Sequence, residues 1–166
     1  MTPKVPCAVF DCVVLLQAAV SQKGPAFACL RHAQTDQLRI VLSAEVLAEI
    51  TDVLNRPELQ RKFKTLTPHV ADAFLRDLVE NSDMVFEVPE VFTYHRDPDD
   101  EPQINLAIAA GARYLVTWDN DMLDLMDETT ATGSDFRRRF PHLLILSPVA
   151  LIREISSAGP GADQTE

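Results

Sequence analysis

Positive charge is what this chain is short of. Its 166 residues carry 15 Lys+Arg against 25 Asp+Glu, a formal net charge of −10. Domains that grip nucleic acid by bulk electrostatics are usually basic, so broad backbone attraction is excluded as a way of binding. Cysteine is scarce too: Cys7, Cys12 and Cys29, with no CxxC pair and no histidine cluster beside them. An odd count without a framework excludes a disulfide scaffold and fits the reducing cytoplasm. No apolar run reaches the length of a membrane span. The start of the chain is apolar from Cys7 onward, but Asp11 interrupts the run and Pro3 and Pro6 precede it. This stretch is therefore expected to be a first core strand and helix rather than a leader. Neither glycine-rich phosphate-cradling loop is present. His32, His69, His95 and His142 are scattered, with no metal or triad spacing, so hydroxyl nucleophiles such as Ser43 or Thr117 have no evident base.

What the chain does have is apolar pattern and acid. Its hydrophobic share, 46%, excludes disorder of the whole. The length suits one domain able to bury a core without disulfide or metal staples, expected over 1–155. The tail 156–166 has Gly159, Pro160 and Gly161 and no periodicity, and is expected to be disordered. Short apolar runs predict strands at 7–10, 38–42, 84–88, 114–117 and 143–146. Helices are predicted at 13–20, 26–34, 44–54, 58–64, 68–80, 102–110, 122–126 and 148–155, with Ser43 and Thr67 as caps. Strands that are nearly continuous apolar runs, separated by helices, imply a parallel sheet covered on both faces. Ligands in such sheets bind beyond the carboxyl ends of the strands.

The acids fall at those ends. Asp11 follows the first strand directly. Glu45 and Glu49 lie on the helix after the second strand, and Glu49 borders the apolar face of Val46, Leu47, Ile50, Val53 and Leu54. Asp119 and Asp121 follow the fourth strand, Asp119 being the better placed to face the sheet edge. The run Asp97, Asp99, Asp100 and Glu101 precedes the helix that feeds that strand. Because Pro102 disfavours helical geometry in the residue before it, Glu101 is the expected N-cap. Asp100 ranks first for the site, with Asp97 and Glu101 as alternates. Acids gathered at one edge repel one another unless a cation sits among them, and hard divalent ions with oxygen ligands are the usual answer. Such ions can activate water and offset the charge of a phosphoryl transition state. Arg56, Arg61, Lys62 and Lys64 form the main basic cluster, and Arg137, Arg138 and Arg139 a second, where a phosphate backbone could touch.

Taken in order, these pieces resemble the PIN domain. They are Val9-Phe10-Asp11, then Ser43-Ala44-Glu45-Val46-Leu47-Ala48-Glu49-Ile50 leading to Val53-Leu54-Asn55-Arg56-Pro57, then Arg96-Asp97-Pro98-Asp99-Asp100, then Ala109 through Asp119. More narrowly, the chain is similar to the PIN-family toxins of bacterial toxin–antitoxin systems. The resemblance implies a three-layer α/β/α sandwich with a central, mainly parallel five-stranded sheet. It implies a ribonuclease acting on single-stranded RNA with Mg²⁺ or Mn²⁺. The implied acid quartet is Asp11, Glu49, Asp100 and Asp119, with Asp121 auxiliary and Asp97 a further candidate ligand. A small antitoxin and a homodimer are the implied partners. One departure stands out. The family's first motif commonly reads Asp-Thr-Asn-Val-Leu, and here it reads Asp11-Cys12-Val13-Val14-Leu15. The polar support expected beside Asp11 is missing, which leaves a non-catalytic binding module as the alternative reading.

Overall fold

The central strands of the sheet are short runs of mostly apolar, buried residues, while the strand at one edge, Ser82–Val85, is half polar and only partly buried. The computed structural model describes residues 4–158. The strands are β1 (Cys7–Phe10), β2 (Arg39–Ser43), β3 (Ser82–Val85), β4 (Tyr114–Val116) and β5 (Leu144–Leu146). They form one five-stranded sheet in the order β3-β2-β1-β4-β5, and every pairing is parallel. The order runs outward from β1 in one direction through β2 and β3, then jumps back to β4 and β5. Right-handed crossovers, the rule for parallel strands, send the helices of the two halves to opposite faces and make a three-layer α/β/α sandwich. The reversal also leaves a crevice between the carboxyl ends of β1 and β4, where open parallel sheets take their ligands.

The helices are α1 (Cys12–Val20), α2 (Pro25–Gln34), α3 (Ala44–Leu54), α4 (Pro57–Lys62), α5 (Pro68–Glu80), α6 (Glu101–Ala109), α7 (Asn120–Leu123), α8 (Ala131–Arg139) and α9 (Pro148–Ser157). Ser43 and Thr67 cap α3 and α5 as expected, accepting the amides of Val46 and Val70 at 3.1 Å each. Phe10, Leu15, Ile50, Ile104 and Leu115 are among the fully buried side chains of the core. Helix α6 lies against β1, β2 and β4, and Gly111 just past its C-cap Ala110 turns the chain with a φ of +60° that a glycine adopts without strain.

Several boundaries differ from expectation. The third strand is 82–85, not 84–88. It pairs with β2 from Ile40 to Ser43, so residues beyond Val85 pass the end of their partner, and Phe86 is exposed. Helix α8 was not foreseen. Its sequence has little apolar periodicity, and among its nine residues only Gly133 and Phe136 are buried. Glu101 is not the N-cap of α6. It is helical (φ −56°, ψ −41°) even before Pro102, because a 3-10 turn over Pro98–Asp100 runs straight into the helix and makes Asp100 the capping position. Helix α9 continues through Ser157, two residues into the expected tail. Ala158 caps it, and the remainder of that tail, 159–166, lies outside the described residues.

Candidate metal centre

The site is built on a single hydroxyl. The amide of Asp11 bonds the Val116 carbonyl at 2.9 Å, which holds the exit of β1 beside that of β4. Thr117, the next residue and fully buried, donates its hydroxyl to Asp11 Oδ2 at 2.9 Å and accepts the Asp119 amide at 2.9 Å. One side chain therefore fixes both acids at the crevice. It gives Asp11 polar support from the end of a different strand, although the side chains of the first motif itself, Cys12 and Val13, supply none. Sequence reasoning took Thr117 only for a strand-end residue.

Three carboxylates converge. Asp97, Asp100 and Asp119 each offer an oxygen, and these oxygens all lie within 4.8 Å of one another. Asp100 is 8% exposed, and its Oδ2 is buried without a hydrogen-bond partner. Burial, then the negative charges of Asp119, Asp97 and Asp11, push its carboxyl up to about 7. A buried carboxylate oxygen left unpaired is costly. A hard divalent ion held by carboxylates would satisfy it, so the residues present fit such a metal. Asp119 also caps α7, taking the Asp121 amide at 2.9 Å, and Asp97 takes that of Asp99 at 3.1 Å.

Asp11 and Glu49 flank this triad. Burial raises the Asp11 carboxyl, and the Thr117 hydroxyl works against the shift. Glu49 is exposed at the rim, and Gln103 Nε2 donates to its carboxylate at 3.2 Å. Partial burial and then the charges of Asp11 and Asp99 raise it. Glu49 thus feels Asp11 electrostatically but stands outside the three-oxygen cluster. Asp121 stands outside the three-oxygen cluster, though its charge reaches Asp100: its carboxylate pairs with Arg96 at 2.5 Å, and Arg96 also holds Asp124 at 2.9 Å. Glu101, the other alternate, spends its carboxylate on the Tyr94 amide at 2.7 Å.

The loop 86–97 that delivers Asp97 is organised from α6. Buried Asn105 accepts the amides of Val91 and Phe92 at 2.9 and 2.8 Å and donates to the Phe92 carbonyl at 3.0 Å. Tyr94 donates its hydroxyl to the Asp121 carbonyl at 2.5 Å. The signal for Asn105 was in the sequence as a lone amide inside the apolar run of Ile104, Leu106 and Ala107.

The basic candidates divide. Arg56 pairs with Asp52 at 2.8 Å, and its charge reaches Cys12, the residue after Asp11. Arg61, Lys62 and Lys64 are exposed. Of the second cluster, Arg137 donates to the Leu143 carbonyl and Arg139 to the Val91 carbonyl, so both are spent within the fold.

A parallel sheet with carboxylates gathered at its switch point is compatible with a divalent-metal site of the kind that serves phosphoryl transfer. Residues 7–121 match the family model described as PIN domain. The chain belongs to the PIN domain family, whose members are in general metal-dependent nucleases, and the matched segment contains all six candidate acids. No curated protein and no solved structure matches the chain.

Proposed function

We propose that this protein is an endoribonuclease that cleaves single-stranded RNA with Mg²⁺ or Mn²⁺, and that it serves as the toxin of a toxin–antitoxin pair. The observation that carries this reading is the buried, unpartnered Asp100 oxygen within 4.8 Å of oxygens from Asp97 and Asp119. Asp11, Asp100 and Asp119, with Asp97, would hold the ion, and Asp121 stands by as an auxiliary. When bound, a divalent ion supplies Lewis acidity at the scissile phosphate and lowers the proton affinity of the attacking water. The chain's own part is positioning and proton transfer. Thr117 keeps Asp11 and Asp119 in register. Glu49, held by Gln103 and raised above the ordinary glutamate value by partial burial and the charge of Asp11, accepts the proton that water loses as its oxygen bonds to phosphorus. One phosphorus–oxygen ester bond breaks, and the departing oxygen is protonated from solvent. Arg56, Arg61, Lys62 and Lys64 take the flanking phosphates.

The remaining parts of the reading follow from its class. A small antitoxin would neutralise the enzyme, and a homodimer is its expected assembly. Cys7, Cys12 and Cys29 are all unpaired thiols, which suits the cytoplasm. Among the described residues no single helix is long and apolar enough to cross a membrane. Purified protein incubated with unstructured RNA should cut it in Mn²⁺ or Mg²⁺ and not in EDTA, and Asp11→Asn should lower the rate at least about 100-fold. Cutting that persists in EDTA or in the variant would sink the mechanism. If Mn²⁺ produces neither heat nor a thermal shift, the non-catalytic binding module takes its place.

A further inference from the structure

The outward face of α1 is apolar where a surface helix would ordinarily be polar. Val13, Leu16, Gln17 and Val20 recur at the spacing of one helical face and line a groove of about 470 Å³ together with Phe63 and Trp118. Val13 is 50% exposed and Trp118 37%. The groove opens beside the metal centre. Val13 stands two residues after Asp11, and Trp118 lies between Thr117 and Asp119, the residues that tie the site together. The Trp118 indole N–H donates to Gln17 Oε1 at 2.6 Å. That bond fixes the ring on α1 and uses its one polar group, so what the ring offers a ligand is its face. Phe63 adds a second ring, with the Lys62 ammonium 5.3 Å from its centroid.

Aromatic faces interleaved with cations are how proteins hold single strands. A positive group at this spot in an otherwise acidic chain complements phosphate. We infer that this groove is a base-binding subsite, in which one unstacked nucleobase of single-stranded RNA lies against Trp118 while its backbone continues to the carboxylates. The inference rests on the ribonuclease reading and deepens it. Val13, the departure from the family's motif, becomes part of the apolar floor on which the base rests.

Trp118 is the chain's single tryptophan, so its emission reports on the groove alone. The wild-type protein is titrated in Ca²⁺ with a short 2′-O-methyl phosphorothioate oligoribonucleotide, whose intactness is checked on a gel. Saturable quenching is expected. By anisotropy, Trp118→Leu should bind the labelled oligonucleotide about 5-fold to 100-fold more weakly, and Trp118→Phe should recover most of the loss. Binding with unchanged emission overturns the subsite and leaves the ribonuclease reading standing, and this readout holds even if the leucine variant misfolds. An oligonucleotide that does not bind overturns it as well, and cleavage of ordinary RNA in parallel shows whether the nuclease reading falls with it. Emission that answers a leucine-rich amphipathic helical peptide but not the oligonucleotide identifies a protein-docking groove and overturns the base site.

Discussion

Thr117 acts through two other residues, which makes it a sharp place to cut. Replacing it with valine keeps the shape of the strand end but removes the donor to Asp11 and the acceptor for the Asp119 amide. Loss of such supporting bonds typically costs about 10- to 100-fold in metal affinity or activity. Thr117→Val should therefore weaken Mn²⁺ binding by that factor in calorimetry. Asp100 sets a second expectation. Its carboxyl lies near pH 7 in the folded chain against an ordinary value of 3.8. The folded metal-free protein binds that proton more tightly than the unfolded chain does, so this group's contribution is fully favourable below about pH 4 and is lost as pH rises through 7. Metal must displace the same proton, so Mn²⁺ affinity should fall below pH 7, by up to about tenfold per unit. Titration calorimetry at a series of pH values checks this, and a flat profile would contradict it. Asp11, Glu49 and Asp119 could be picked out from sequence because each stands just after a strand or on the face of the next helix. Asp97 stood only as an alternate to Asp100, because its convergence with Asp100 and Asp119 depends on how the loop before it folds back.

That loop belongs to α6. Ile104, Ala107 and Ile108 share one apolar face of the helix, yet Gln103 and Asn105 are buried as well. A helix covered on nearly all sides carries little amphipathic signal, and its polar residues read as solvated until their partners are visible. Asn105→Ala would strand the Val91 and Phe92 amides and the Phe92 carbonyl. The expected cost is roughly 2 kcal/mol, a fall of about 4–8 °C in melting temperature, together with weaker metal binding as Asp97 loosens. Helix α8 escaped notice for the opposite reason. It is anchored by Phe136 in the core and starts on a capping turn, in which Thr130 accepts the Gly133 amide at 3.0 Å. A Cβ at Gly133 would sit 1.9 Å from the Asp127 carbonyl oxygen, which is backbone and cannot simply swing aside. Gly133→Ala should destabilise by about 1–3 kcal/mol in a thermal melt, with little change in metal affinity.

Across the whole molecule, the class of fold was legible because a parallel sheet demands buried strands separated by helices. Strand order was not, since nothing local tells β4 to pair with β1 rather than β3. The net charge of −10 is partly a property of the site, and a bound cation relieves some of it. At about 100 times its dissociation constant, Mn²⁺ should stabilise the fold by about 2.7 kcal/mol, several degrees in a melt, and Asp100→Asn should abolish most of the shift. The bond from Thr117 to Asp11 spans 106 positions of chain. Contacts that distant form slowly and only after the later partner exists. During synthesis, β1 must wait for β4 to leave the ribosome before any ion can be held. A nascent chain of this kind would have no completed site, and so no metal-dependent activity of any sort, until Thr117 and Asp119 had emerged.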